Sequence, residues 1–151
     1  MTSRASLYIV VGKGGIMSET IELLHKHYKQ LRDAVASTWN IQNNIQITTS
    51  EWYILNCIYG GASTIPDILK KVEISKQAVH KFVNVLEEKK LVQTELIKTP
   101  KTQRRVELTP LGEETYHRSL EIKKEIDTTI EKNIGTENFK QLQVILQMKW
   151  M

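Results

Sequence analysis

Cysteine is almost absent from this chain. Its 151 residues include one cysteine, Cys57, which excludes an intrachain disulfide framework. Cysteine and histidine do not recur at the spacing of a zinc site, so we expect no metal site and no cofactor. The apolar neighbours of Cys57 predict a packed core residue, with redox sensing as the alternative. The cytoplasm, where thiols stay reduced, is the expected location.

Long hydrophobic runs are also missing. No apolar stretch approaches the roughly 18–20 residues that cross a bilayer, so we expect no membrane partner. The apolar residues 7–11 stop at Gly12 and are too short for a signal peptide. The composition, 40% hydrophobic and 25% charged, is that of an ordinary globular protein, and the length predicts one domain.

Acidic residues and helical periodicity are lacking in residues 1–16. Met17-Ser18-Glu19 follows them and reads as a natural start with a helix cap. We therefore predict that residues 1–16 are a cloning-derived extension or a flexible arm. The alternative is a native arm that adds a strand or crosses to a partner subunit.

Catalytic motifs are absent as well. The chain has no nucleophile motif, no glycine-rich phosphate loop and no pair of carboxylates framed by strand ends. We expect that the protein is not an enzyme.

Helical periodicity dominates what is present. An apolar stripe predicts a long amphipathic helix at about 18–39, followed by a polar break at 40–46. Thr49-Ser50-Glu51 is a cap signal for a second helix, which Gly60-Gly61 ends. Near the C-terminus, Thr109-Pro110 begins a helix that runs to about 132, and Gly135-Thr136 separates a last one.

The central segment has the pattern of a helix-turn-helix. Thr64 and Asp67 resemble a capping box that starts a short helix over 65–72. Ser75 caps the next helix. Its predicted inner face consists of Val79, Phe82, Val83 and Leu86, which leaves Lys76, Gln77, His80, Lys81 and Asn84 pointing outward.

A β-hairpin is predicted directly after this helix. The alternation is of β type over 91–97 and 104–108, and residues 99–103 form the turn between the two strands. The hairpin is predicted to be a wing tipped with Lys98, Lys101, Arg104 and Arg105.

Positive charge is concentrated in the same segment. Residues 75–105 hold eight Lys and Arg against three acids, a net charge of +5. Because the whole chain carries only +4, the residues outside this window sum to −1. A basic surface on a helix-turn-helix with a wing predicts a phosphate backbone, that of double-stranded DNA, as partner.

The order of elements over roughly residues 20–150 resembles the multiple-antibiotic-resistance regulator (MarR) family. The resemblance rests on Leu108-Thr109-Pro110-Leu111-Gly112 after the wing and on the 17 residues from Leu91 to Leu108. It implies a mainly α fold, a winged helix-turn-helix with a two-stranded wing and terminal helices that form a dimerisation region. The implied divisions are 17–47 for the N-terminal dimerisation helix, 48–109 for the DNA-binding region and 110–151 for the C-terminal dimerisation helices.

Two positions depart from the family pattern. Members usually carry Asp-x-Arg in the wing, where the arginine enters the minor groove, but these positions are Pro100 and Thr102 here. Arg104 or Lys101 is the expected substitute. Lys90 stands where the family commonly has glycine after the recognition helix, at a modest cost in strain.

The resemblance also implies roles for individual residues. The predicted DNA-binding residues are Thr64, Ser75, Lys76, Gln77, His80, Lys81, Asn84, Lys98, Lys101, Thr102, Arg104 and Arg105. Gln77 is expected to pair with adenine, and helix N-termini to meet phosphate oxygens. For Lys76 and Lys81 the alternative is a solvated helix face, and for His80 a plain surface position.

Dimerisation and effector binding complete the expectations. The predicted dimer contacts are Leu24, Leu31, Ile126, Ile130, Phe139, Leu142, Leu146 and Trp150, unless the terminal helices only cover the core of their own chain. Tyr28, Trp39, Trp52 and Tyr53 fall near the crevice that binds small aromatic effectors in the family; ordinary core packing is the alternative for each.

The resulting hypothesis is a homodimeric, sequence-specific transcriptional regulator of repressor type on a pseudo-palindromic operator. The alternative is a winged-helix protein-interaction module whose wing binds an acidic partner.

Overall fold

The computed structural model describes residues 19–151, and the predicted extension at 1–16 lies outside them. Within the described residues, helices flank a single antiparallel hairpin. The elements are α1 (Thr20–Gln42), α2 (Thr49–Tyr59), α3 (Ile65–Leu69), α4 (Lys76–Glu88), β1 (Val92–Ile97), β2 (Gln103–Leu108), α5 (Pro110–Ile134) and α6 (Thr136–Gln147). This order confirms the predicted mainly α architecture with a two-stranded wing.

Helix α1 continues three residues beyond the predicted end at Trp39. The amide side chains that suggested a break instead bind the carbonyl groups that a helix end leaves free. Asn43 donates to the carbonyl of Trp39 at 3.0 Å, and Gln46 donates to that of Asn40 at 3.1 Å. The Asn40 side chain both donates to and accepts from the main chain of Ile47. The Asn and Gln residues therefore close the helix and fix the following loop.

Two predicted caps need adjustment. Helix α2 is capped by Thr48, one residue earlier than expected, in a complete capping box with Glu51. Helix α3 begins at the predicted cap Thr64, but the capping box is incomplete. The Asp67 carboxylate accepts from the amide of Ser63 instead of that of Thr64. Helix α3 also ends at Leu69, short of the predicted 72, because the chain turns there.

The hydrophobic core lies between α2, α3, α4 and the hairpin. Its fully buried side chains include Ile54, Leu55, Ile68, Val79, Val83 and Leu86, and α5 adds Ile122. Helix α4 begins at the predicted Ser75 cap, whose hydroxyl accepts from the amide of Ala78 at 3.1 Å. The predicted inner face of α4 is confirmed, although Phe82 is only partly buried.

The hairpin pairs Val92 with Leu108 at its base and Ile97 with Gln103 at its end. A third segment joins it, because the amide of Val106 donates to the carbonyl of Ser63 at 2.8 Å. The predicted strands differ from the observed ones by one residue each: β1 begins after Leu91, and β2 begins at Gln103. Lys90, which precedes β1, has φ of +62°, the left-handed conformation expected at this turn.

The junction between the wing and α5 explains the Leu-Thr-x-x-Gly motif. Thr109 caps α5 by accepting from the amide of Gly112 and donates its hydroxyl to the carbonyl of Lys90 at 2.6 Å. The amide of Thr109 donates to the carbonyl of Leu91. A Cβ on Gly112 would lie 1.9 Å from that same carbonyl oxygen. Only glycine allows α5 to pack this closely on the start of the wing.

The terminal helices pack on one another beside the core. Helix α5 lies against α1 and α2, and α6 lies against α5. Helix α6 contains no buried residue, and large apolar side chains of α1 and α6 remain exposed. These include Ile21 at 72%, Leu146 at 51% and, just after α6, Trp150 at 53%.

Candidate nucleic-acid interface

The outward face of α4 presents polar and basic side chains. Lys76, Gln77, Lys81 and Asn84 are all exposed, whereas His80 is half-buried. Their exposure follows from the helical period that buries Val79, Val83 and Leu86 on the opposite side. This face can offer hydrogen-bond donors and positive charge to base edges or phosphates.

The wing extends beside this face and carries further cations. Lys98, Lys101 and Thr102 are exposed in the loop between the strands. Arg105 is also exposed, but it lies within β2, where its register partner is Glu95. The loop and Arg105 thus form a basic projection next to the α4 face.

Arg104 does not lie at the wing tip as predicted. It belongs to β2, and only 18% of its side chain is exposed. Its guanidinium lies 3.3 Å from Nδ1 of His80 and 3.5 Å from a carboxylate oxygen of Glu87. The side-chain alternation of a strand directs Arg104 toward α4 and its neighbour Arg105 away from it.

This arrangement favours the neutral form of the His80 imidazole. Burial lowers the pKa of its imidazole, and the cations of Arg104 and Lys76 lower it further. A neutral imidazole can accept a hydrogen bond from the guanidinium at the facing nitrogen.

Thr64 and Ser75 lie at the N-termini of α3 and α4, as predicted. Each hydroxyl oxygen accepts a main-chain hydrogen bond, from Asp67 and Ala78 respectively. The hydroxyl hydrogens of both caps, and the first-turn amides of Lys76 and Gln77 in α4, remain as donors for an anion.

The four aromatic residues predicted near an effector crevice fall into two pairs. Trp39 and Trp52 are buried and meet edge to face at 5.3 Å between ring centroids. Tyr28 and Tyr53 lie nearer the surface, 6.5 Å apart. The indoles therefore pack in the core, and the tyrosines form part of a face between α1, α2 and α5.

Three residues on this face were not anticipated from the sequence. The Arg32 guanidinium lies 4.8 Å from the Tyr53 ring centroid, and Lys123 Nζ lies 4.5 Å from that of Tyr116. We call Tyr28, Arg32, Tyr53, Tyr116 and Lys123 the aromatic-cationic face. Arg32 follows Tyr28 by four residues on α1, a spacing that places both on one side of a helix and was the available signal.

The cations of the aromatic-cationic face influence one another. Burial lowers the pKa of the Lys123 ammonium, and the charge of Arg32 adds to this effect. The amino group of Lys123 also donates to the Asn56 side-chain carbonyl at 3.2 Å. Among residues 19–151, Arg32 and Lys123 form no ion pair with a carboxylate.

A surface depression of about 370 Å³ lies elsewhere, between the end of α1 and the start of α5. Trp39, Asn43 and Leu111 line it together with Arg118, which donates to the Asn43 side chain and stacks 5.1 Å from the Trp39 ring centroid. A second depression, of about 220 Å³, lies on the outer surface of the wing around Arg105.

Residues 19–151 contain no group of three or more histidine, cysteine or acidic side chains placed to hold a metal ion. In the same part of the chain, no helix has both the length and the apolarity required to cross a bilayer. Cys57 is buried in the core, as predicted, and burial raises the pKa of its thiol.

The winged part of the chain has known relatives at the level of a family. Residues 45–105 match the model of the MarR family. A search of curated proteins finds no significant match.

Solved structures of MarR-type regulators share the architecture. Wild-type MarR from E. coli, in its apo form, superposes with a TM-score of 0.76 at 16% identity, covering 87% of this chain and 97% of that one. The MepR–DNA complex from S. aureus gives 0.65 at 18% identity, covering 85% and 93%. BpsR of Bordetella bronchiseptica, whose DNA binding is regulated by 6-hydroxynicotinic acid, gives 0.67 at 15% identity, covering 86% and 97%.

These likenesses confirm the resemblance predicted from the wing and its closing motif. Residues 45–105, which hold the helix-turn-helix and most of the wing, match the MarR family model, and residues 19–151 have the fold that MarR-type regulators share.

Proposed function

We propose that this protein is a homodimeric transcriptional repressor that binds a pseudo-palindromic operator in the cytoplasm. The observation that supports this most strongly is the exposed polar face of α4 beside the basic wing, within a MarR-family winged helix. By analogy with helix-turn-helix proteins, α4 would lie in the major groove and the wing would lie along the backbone.

Within this proposal the side chains have different tasks. Gln77 would read a base edge, because an amide can pair bidentately with adenine. Lys81, Lys101 and Arg105 would neutralise phosphates, which adds affinity without sequence preference.

The first test is fluorescence anisotropy against the duplex upstream of the protein's own gene, with a shuffled duplex as control. If a dimer neutralises 6–8 phosphates, log affinity should fall with log salt at a slope of roughly −5 to −7. The measurement is made at two salt concentrations. A preference for the native duplex that persists at the higher concentration supports a sequence-specific regulator. A flat salt response would contradict DNA binding altogether.

Variants separate the proposed roles. Lys81→Ala should weaken binding to both duplexes, whereas Gln77→Ala should also reduce the preference between them. Lys124→Ala, a lysine exposed on α5, is the matched control and should change neither. Equal effects of all three variants would refute the assignment.

The dimer is supported by the apolar side chains that α1 and α6 leave exposed. Contiguous exposed apolar surface on a folded chain marks an interaction site, and a second copy presents the same faces about a two-fold axis. The predicted contact residues Leu24, Leu31, Leu146 and Trp150 are exposed, and Ile126, Ile130, Phe139 and Leu142 are partly exposed.

Sedimentation velocity tests this interface. Leu146→Asp should convert a dimer to monomers and abolish binding to the palindrome, while Gln141→Asp, also exposed on α6, should leave the dimer intact. A wild-type monomer would contradict the proposal.

We also propose that a small aromatic acid releases the DNA by binding the aromatic-cationic face. Tyrosine rings would stack on the effector, and Arg32 and Lys123 would neutralise its carboxylate. BpsR, regulated by an aromatic acid, has the same fold.

6-Hydroxynicotinic acid and its uncharged amide are suitable probes. The acid should release operator DNA at lower concentration than the amide, and Lys123→Gln should reduce this difference. Identical release by acid and amide would contradict a carboxylate site.

The protein-interaction module remains a second candidate, favoured by one observation. Pro100 and Thr102 occupy the positions of the customary wing Asp-x-Arg, so the usual minor-groove contact is missing. Two results together would support this candidate. The protein would retain an acidic protein partner after nuclease treatment, and its DNA binding would be unselective and would disappear at high salt.

A further inference from the structure

Arg104 of the wing contacts two residues of α4 that lie two helical turns apart. His80 and Glu87 are seven residues apart and therefore lie on the same side of α4, two turns from one another. One guanidinium contacts both, with Nη1 3.3 Å from His80 and Nη2 3.5 Å from Glu87. A single side chain of β2 thus spans much of the helix length.

The opposite strand takes part in the same network. Thr94 of β1 donates its hydroxyl to the second carboxylate oxygen of Glu87 at 2.6 Å. Arg104 Nη2 lies 3.5 Å from that hydroxyl oxygen. Both strands of the wing are consequently tied to Glu87, near the end of α4.

The charge of Arg104 is already balanced within the protein. Glu87 neutralises it, and only 18% of the Arg104 side chain is exposed. Arg105 differs in both respects, because it is exposed and has no ion pair among residues 19–151. Of two adjacent arginines, one is committed to the protein and the other is free to meet phosphate.

We infer that Arg104 is a positioning residue that sets the wing against α4 and does not itself contact DNA. The inference rests on the proposed function, because the wing and α4 must engage one half-site together. Without the Arg104 bridge the wing would move relative to α4, so that binding to the correct sequence falls while general attraction to DNA persists. Arg104 thereby contributes to selectivity through the wing and α4.

Salt dependence distinguishes this role from a phosphate contact. Arg104→Met should leave the slope of log affinity against log salt unchanged, while Arg105→Met, its matched control, should make it less steep by about 0.9 for each phosphate that is no longer neutralised. Arg104→Met should also reduce the ratio of operator to shuffled-duplex affinity by about three- to tenfold. A reduced slope in Arg104→Met would overturn the inference.

Two further variants sharpen the comparison. Arg104→Lys keeps the charge but lacks the planar fork that reaches two partners, so it should behave as Arg104→Met does. Glu87→Gln should lower the ratio of operator to shuffled-duplex affinity by a similar factor. The double variant Arg104→Met/Glu87→Gln should lower this ratio no further than the more severe single variant does. If Arg104 contacted DNA directly, Glu87→Gln would free the guanidinium and strengthen operator binding, and Arg104→Lys would remain selective.

Hydrogen exchange decides the structural half of the inference without DNA. Wing amides of β1 and β2 should exchange about three- to tenfold faster in Arg104→Met and in Glu87→Gln, while circular dichroism reports an intact fold. Unchanged wing exchange in both variants would overturn the inference. If the wild-type protein binds no duplex, the proposed function fails, and exchange still shows whether Arg104 fixes the wing.

Discussion

Replacing Gly112 with alanine should destabilise the protein by about 1–3.5 kcal/mol, although alanine is the better helix former. The added Cβ would lie 1.9 Å from the carbonyl oxygen of Leu91 and 3.0 Å from its carbonyl carbon. Because ordinary van der Waals contact begins at 3.4 Å, the main chain of Leu91 or the start of α5 must shift by roughly 1.5 Å to relieve the contact with the oxygen. Both are main-chain segments, so no side-chain rotation relieves the clash.

The size of the effect follows from what holds Leu91 in place. Its side chain is fully buried, and its amide donates to the carbonyl of Leu86. Its own carbonyl accepts from the amide of Thr109. Forcing extra atoms into a packed site costs about 1–3 kcal/mol, and weakening one main-chain hydrogen bond costs about 1 kcal/mol. The better helix propensity of alanine returns about 0.5–1 kcal/mol, which leaves the stated net loss.

Denaturant unfolding followed by circular dichroism measures this loss. Glu114→Ala, two residues further along α5 and exposed, is the matched control and should change stability by less than about 0.5 kcal/mol. Both proteins must be compared at equal concentration, because dissociation of a dimer makes apparent stability concentration-dependent. If Gly112→Ala were as stable as Glu114→Ala, close packing would not be the reason for glycine at this position.

Three further predictions follow from the same junctions. Lys90→Gly should raise the free energy of unfolding by about 0.5–1 kcal/mol, because φ of +62° strains a residue with a Cβ; no gain in denaturant unfolding would contradict this. Lys89→Met should cost about 2–3 kcal/mol by the same measurement, since Glu51, 3% exposed, would keep a buried carboxylate without its 2.7 Å partner; a fully stable variant would refute this role. Because the pKa of His80 is lowered in the folded state, by burial first and by Arg104 next, the unfolded chain binds the extra proton as pH falls below about 6.5, and stability should decline there. His80→Asn should flatten that decline, and an unaltered pH profile would show that another group causes it.

Local sequence signals predicted most of the fold because each reflects a contact between near neighbours. The Thr64 and Ser75 caps, the glycines that end α2 and α5, and the Thr109-Pro110 start all involve residues within a single turn. The alternation of the hairpin is local in the same sense. The misplaced end of α1 had a different origin. Side chains of residues 43 and 46 bind the last carbonyls of α1, and composition alone does not show whether amides break or close a helix.

The candidate DNA-binding surface was predictable only in part. The exposed residues of α4 follow from helical period once the apolar stripe is known, and exposure of Lys98 and Lys101 follows from the turn. Of the five residues of the aromatic-cationic face, only Tyr28 and Tyr53 were predicted. Lys123 contacts Asn56, which lies 67 residues away in the sequence. Such contacts depend on how helices pack, which residue spacing does not contain.

The two arginines of β2 show that a net charge counted from the sequence does not identify which cations are available to DNA. Counted from the sequence, Arg104 and Arg105 contribute equally to the +5 of residues 75–105. In the fold, the alternation of the strand turns one toward Glu87 and the other toward solvent. With Glu87 already counted among the acids, the pair Arg104–Glu87 contributes no net charge to the surface. The cations left to meet phosphate are those of α4, the wing loop and Arg105. The missing Asp-x-Arg of the wing therefore has no direct replacement in Arg104, and any minor-groove contact would have to come from Lys98, Lys101 or Arg105.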